Sequence, residues 1–128
     1  MSEGTSKPKR FSFAGRRKSF QYAFRGMLYC LKTQHNAWIH ALATIVVIAA
    51  GFIFSVSPVD WGLLIIVIGL VWIAEMFNTA IERLVDLVSP EHKPAAGKIK
   101  DIAAGAVLLA AITAIGIALV VFGRRWVL

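Results

Sequence analysis

The chain is short of acid, of cysteine and of polar stretches. Seven acidic residues face fourteen basic ones in 128 positions, for a formal net charge of +7. Cys30 is the single cysteine, so neither an intrachain disulfide nor a thiolate metal cluster can be built. Its expected role is that of a small packing residue near a membrane surface. The first 36 residues are basic and polar without a continuous apolar run, so no cleavable signal peptide is expected. A glycine-rich Walker loop and a protein-kinase signature are both missing, so any phosphate site would have to be assembled from helix ends.

What is present is hydrophobic, at 58% of residues and a mean hydropathy of +0.70. The apolar residues are gathered into blocks. Ala37–Ser57 and Ile102–Phe122 are each 21 residues without Asp, Glu, Lys or Arg, and Trp61–Ala74 adds 14 before an apolar-rich continuation to Val88. About 20 residues at 1.5 Å each cross a hydrocarbon layer of about 30 Å. The pattern predicts an all-α integral membrane protein with three spans, over about 37–57, 60–88 and 98–122. Pro58 and Asp60 would form the first turn, with Asp60 capping the second span. Ser89-Pro90 would end that span.

Ahead of the spans, residues 1–14 are expected to be a disordered basic tail, and residues 15–128 one membrane domain. Over about 16–32, Phe20, Ala23, Phe24, Met27 and Leu31 recur at spacings of three and four, opposite Lys18, Arg25 and Lys32. This predicts a basic amphipathic helix lying in the membrane interface. Twelve of the fourteen basic residues fall before the first span or between about residues 83 and 100, which puts the N-terminus and the 89–97 turn on the cytoplasmic side. Attraction to anionic headgroups accounts for these charges, and no nucleic-acid partner is expected.

The second span carries Glu75, Asn78, Glu82 and Asp86. At about 100° per residue, all four share one face over about three turns. Carboxylates in or near hydrocarbon are costly and face a bundle interior or a wet cavity. Lys98, Lys100 and Asp101 open the third span. Opposite charges across the 89–97 turn suggest a bound anion with a divalent cation: carboxylates for the metal, lysine for phosphate, a deeper carboxylate for a proton.

The run Glu75-x-x-Asn78-Thr79-Ala80-Ile81-Glu82-x-x-x-Asp86, followed by Lys100-Asp101-x-Ala103-Ala104-Gly105-Ala106-Val107, resembles the prokaryotic diacylglycerol kinase family, which includes undecaprenol kinases. The resemblance covers about residues 15–123. It implies a homotrimer of three-span protomers with an interfacial helix, sharing sites on the cytoplasmic side of a bacterial inner membrane. It implies ATP as donor, Mg²⁺ as cofactor and a lipid alcohol, undecaprenol or diacylglycerol, as acceptor. Glu75 would be the general base and Glu82 a metal ligand, with Asn78 and Asn36 in support. Gln34, Glu82, Asp86, Glu91, His92, Lys93, Lys100 and Asp101 would meet the nucleotide, and Tyr22 would lie near it on the interfacial helix, unless Tyr22 is simply an interface anchor.

One segment departs from the pattern. Where the family shows Glu-x-Asn-x-x-Ile-His, this chain has Gln34-His35-Asn36-Ala37-Trp38-Ile39-His40. Gln34 offers a neutral carbonyl oxygen, a weaker partner for a hard cation than a carboxylate. His40 is expected to be a satisfied histidine inside the bundle. Two rival readings follow from single residues: a proton-coupled transporter using Glu75, or a non-catalytic family member, for which Gln34 is the argument.

Overall fold

The computed structural model describes Pro8 and residues 10–127. Of the expected tail, residues 1–7 and 9 lie outside the described residues, whereas Phe13 and Ala14 already belong to a helix. Among the described residues the structure is helical, in the order α1 (Phe13–Thr33), α2 (His35–Ile53), α3 (Pro58–Val88) and α4 (Pro94–Val127). The last three are long and apolar enough to cross a membrane.

Local chemistry sets the helix ends, and in several places moves them from the expected positions. α1 begins three residues before the anticipated start because the Ser12 hydroxyl caps it, accepting from Gly15 N–H at 3.0 Å. A Cβ on Gly15 would stand 2.9 Å from that oxygen, so glycine leaves room for the cap. α1 stops at Gln34, whose backbone is extended (φ −109°, ψ 122°). That single residue separates α1 from α2 and turns the chain into the first span.

α2 ends at Ile53, short of the expected Ser57. Ser55 takes a left-handed φ of 49°, which helix cannot accommodate. α3 is capped by Ser57 rather than Asp60: the Ser57 hydroxyl accepts from Asp60 N–H at 3.2 Å, and Pro58 occupies the first turn, where its missing N–H costs nothing. Asp60 is buried instead, in an ion pair with Arg124. α4 starts at Pro94, four residues before the expected Lys98, for the same reason of proline chemistry. It then runs past Phe122 to Val127.

α3 is the central element. Leu64, Val67, Val71, Glu75, Asn78, Thr79 and Val85 are buried along it at helical spacing. α4 packs most extensively against it, burying Ala103, Val107, Ala110 and Val121. At the end remote from α1, Leu64 and Val121 are fully covered, with Val56, Trp61 and Phe122 around them. α2 closes on this end through Gly51, where an added Cβ would meet the Trp61 ring at 2.5 Å. The outward faces are apolar: Ile45, Ile65, Ile73, Leu109 and Leu119 are all exposed. Such a surface needs lipid or another copy of the chain to cover it.

α1 joins the bundle by its last turn. Cys30 is 2% exposed, whereas Phe20, Phe24 and Met27, on the face expected to be apolar, stay open at 67%, 63% and 47%. The Cys30 sulfur lies 3.6 Å from Thr79 Oγ1 on α3, and Arg83 stands over the Tyr29 ring at 5.5 Å.

Candidate active site

The polar face of α3 runs from the bundle interior toward the α3–α4 turn. Its deepest member, Glu75, is 0% exposed. One carboxylate oxygen, Oε2, lies 3.2 Å from His40 Nε2 on α2. The other, Oε1, has no hydrogen-bond partner among the described residues. The Glu75 carbonyl accepts from the Thr79 hydroxyl at 2.9 Å. Thr79 also meets Cys30, so the ends of α1 and α2 nearest their junction at Gln34 converge on α3 around Glu75.

One turn further, Asn78 is buried and its Nδ2 donates to Glu82 Oε1 at 3.3 Å. Asn78 Oδ1, like Glu75 Oε1, is buried without a donor among the described residues. Two acceptors on one face, both cut off from protein donors, are the pattern left when a ligand, cation or water supplies the missing partner. Beyond Glu82 the stripe emerges. Asp86 accepts from Lys100 Nζ at 2.6 Å, tying the end of α3 to the start of α4 across the turn.

The remaining sequence candidates lie around this stripe. Asp101, Glu91, His92 and Lys93 are exposed about the α3–α4 turn. Tyr22 is exposed on α1, with the Arg25 guanidinium 5.6 Å over its ring. Gln34 is half-buried at the α1–α2 junction and Asn36 is exposed as the second residue of α2. The geometry thus joins Asn78 to Glu82, and Asp86 to Lys100, while Tyr22, Asn36, Asp101 and the turn residues stand apart in a single chain.

The partner of Glu75 is what sequence reasoning missed. His40 and Glu75 are 35 positions apart on different helices, and no helical period links them. A histidine isolated among apolar residues was the available signal, because such a ring needs a polar neighbour somewhere in the fold. His40 also lines a cleft of about 270 Å³ between α2, α3 and α4, whose other walls include Val47, Val67, Val71, Ala111 and Ala114. The buried acid therefore lies one side chain away from an apolar groove.

Sequence comparison gives this arrangement relatives. The profile of the prokaryotic diacylglycerol kinase family matches residues 21–122. An undecaprenol kinase of Bacillus subtilis is 39% identical over 105 residues, 82% of this chain and 85% of that protein. A diacylglycerol kinase of Synechocystis is 42% identical over 98 residues, 76% of this chain; the match spans about half (56%) of that longer protein. A diacylglycerol kinase of Escherichia coli K12 is 32% identical over 94 residues, 68% of this chain and 77% of its own length. A kinase family implies a nucleotide phosphoryl donor, and the three apolar helices make the chain a membrane protein. The chain belongs to the prokaryotic diacylglycerol kinase family and is, by that membership, a lipid kinase.

Proposed function

We propose that the protein transfers the γ-phosphoryl group of ATP to the hydroxyl of a membrane lipid alcohol, undecaprenol or diacylglycerol, at the cytoplasmic face of a bacterial inner membrane. The observation that carries this reading is Glu75, fully buried, with Oε1 unpartnered and an apolar groove beside its histidine. A base that deprotonates a lipid hydroxyl needs such a setting: a free acceptor atom, close to the hydrocarbon layer and shielded from bulk water.

In this mechanism the hydrocarbon chain of the acceptor lies along the α2–α3–α4 groove and its hydroxyl reaches Glu75. Oε1 takes the proton, the lipid oxygen bonds to the γ-phosphorus, and the bond from that phosphorus to the bridging oxygen breaks, releasing ADP. Phosphoryl transfer of this kind asks for positioning and charge neutralisation more than covalent chemistry. Lys100 supplies positive charge for the phosphates, held in place by Asp86. Asp101, Glu91, His92, Lys93 and Tyr22 border the nucleotide, and the basic residues of α1 rest against anionic headgroups.

The donor set also suits Mg²⁺. Among the described residues no three His, Cys, Asp or Glu side chains gather to hold an ion alone. Glu82 offers a carboxylate and Asn78 Oδ1 a buried acceptor lacking a donor. Mg²⁺ takes one or two carboxylates and completes its shell with water and substrate phosphates. Glu82 and Asn78 would hold an ion shared with the nucleotide, with Gln34 a neutral third contributor. When bound, the ion neutralises phosphate charge.

The site is incomplete in one chain, with exposed residues around the stripe and small residues such as Ala104, Gly105 and Ala106 exposed on α4. Small residues let membrane helices approach closely. This supports a homotrimer in which neighbouring protomers complete each site.

The test is turnover by the purified chain in lipid micelles, with labelled ATP and a panel of undecaprenol, diacylglycerol and other lipid alcohols. Label appearing in a lipid phosphate, dependent on both Mg²⁺ and Glu75, is the expected result. ATP-independent proton-coupled flux, or no turnover at any Mg²⁺ concentration, would overturn it.

A further inference from the structure

The proposed base is held by a second side chain whose role goes beyond packing. Glu75 Oε2 lies 3.2 Å from His40 Nε2, and the His40 side chain keeps 13% exposure beside a carboxylate that keeps none. A base must begin ionised, and an ionised carboxylate has no hydrogen to give. In this pair Nε2 therefore carries the hydrogen and donates it to Oε2. That contact satisfies one oxygen and leaves Oε1 as the atom without a partner.

The histidine is itself fixed. Its ring stands edge-on to Trp72, centroids 6.2 Å apart. The Trp72 indole N–H donates to Thr44 Oγ1 at 3.0 Å, and the Thr44 hydroxyl donates to the His40 carbonyl at 2.7 Å. Trp72 precedes Glu75 by three residues on α3, so α2 is pinned to α3 at the carboxylate and again about one turn before it. A second group on a ligating or reacting side chain commonly fixes its orientation in this way.

The geometry points to His40 as a positioning residue for Glu75. By occupying Oε2 it leaves Oε1 as the one atom that can take the proton of the lipid hydroxyl. His40 keeps its own proton throughout. The proton moves from the lipid oxygen to Oε1, while that oxygen's electron pair forms the new bond to phosphorus and the departing electrons stay on ADP. This inference rests on Glu75 being the base.

Four variants of the full chain, assayed in lipid micelles with ATP, Mg²⁺ and diacylglycerol or undecaprenol, test it: His40→Leu, His40→Gln, Glu75→Gln, and His40→Leu combined with Glu75→Gln. His40→Leu is expected to lower kcat about 10–10²-fold, the scale of a misplaced reacting group, with KM for ATP and lipid changed no more than about two-fold. Glutamine places an amide N–H within reach of Oε2, so His40→Gln should keep most of the turnover. The double variant should be no slower than Glu75→Gln, since His40 acts through that carboxylate.

Equal loss in the leucine and glutamine variants, a loss confined to KM, or a double variant slower than Glu75→Gln by the full leucine factor would overturn the assignment. If His40→Leu does not accumulate folded, His40→Ala with added imidazole replaces it, recovery of kcat being expected and its failure counting against the role. Full turnover by Glu75→Gln removes Glu75 as the base and the role of His40 with it, and leaves lipid phosphorylation itself standing. A slow Glu75→Gln beside a full-speed His40→Leu removes His40 alone.

Discussion

Each end of the helix bundle buries a carboxylate, and the two are treated differently. Near the α2–α3 turn, Asp60 pairs with Arg124 from the end of α4, and the neighbouring Arg125 donates to the Ser55 carbonyl. This cluster is complete within one chain: α2, α3 and α4 meet there around Leu64 and Val121, and the charge has its countercharge. At the other end Glu75 has a histidine on one oxygen and, among the described residues, nothing on the other, and Asn78 repeats the shortfall one turn later. A closed ion pair is what a fold needs in order to hold a turn. Acceptors left open in the interior destabilise a fold unless something else binds there. The difference assigns structure to one end and chemistry to the other.

The largest effect expected from breaking this contrast lies at Glu75. Glu75→Gln keeps shape and removes the base, so turnover should fall about 10²–10⁴-fold, the range for loss of a general base. ATP binding, followed by displacement of a labelled nucleotide, should change little. Near-full turnover would place Glu75 with Asp60, as a structural acid.

Subunit mixing sharpens the same contrast. If the open end is completed by a neighbouring protomer, a Glu75 variant and a Lys100 variant, each inactive alone, should regain part of the wild-type activity when co-assembled. Lys100 bonds Asp86 in its own chain, 11 positions and about 16 Å of helix rise from Glu75, so the two need not serve the same site. Native mass measurement in mild detergent should show trimers; monomers alone would refute sharing.

At the closed end the outcome should be stability without catalysis, and it should depend on which partner is removed. Asp60 keeps 7% side-chain exposure and Arg124 53%. Arg124→Gln strands a buried carboxylate and should cost about 3 kcal/mol, near the lower bound for breaking a buried pair. Asp60→Asn leaves an arginine that can turn to water, and should cost nearer 1 kcal/mol. Thermal unfolding in micelles reads the order, and turnover per folded molecule should stay at the wild-type level in both.

The sequence carried the three spans plainly, because two uninterrupted apolar blocks of membrane length, and a third that stays apolar-rich past Glu75, have few other uses. It also carried the α3 stripe, because a helical period places Glu75, Asn78 and Glu82 on one face whatever surrounds them. Contacts between helices were out of reach. Nothing local says that His40 meets Glu75, that Cys30 meets Thr79, or that Asp60 is paired with Arg124 from the far end of the chain; 64 positions separate that last pair. Asp60 shows the hazard. Near a helix start an acid reads as a cap, yet Ser57 had the better position, and the acid was free to be buried.

The smallest expected effect is at Gln34, and it refines what the open end lacks. Gln34 sits at the α1–α2 junction, half-buried, its backbone extended and its amide N–H bonded to the Cys30 carbonyl. Its side-chain amide reaches the Thr33 hydroxyl at 3.5 Å, a marginal contact, so the side chain is free to serve another purpose. Gln34→Glu keeps length and shape and leaves the junction's backbone bonds untouched. It adds one negative charge where the family resemblance places a carboxylate ligand. If Mg²⁺ relies on Glu82, Asn78 and nucleotide phosphates, a further carboxylate should tighten its hold, lowering the Mg²⁺ concentration for half-maximal turnover several-fold, to about ten-fold at most, with kcat changed little. Titrating Mg²⁺ at fixed ATP for the two proteins measures this. Superimposed curves from two active proteins would mean that residue 34 does not face the metal, and that the open end needs only Glu82 and the substrate's own phosphates to hold the ion.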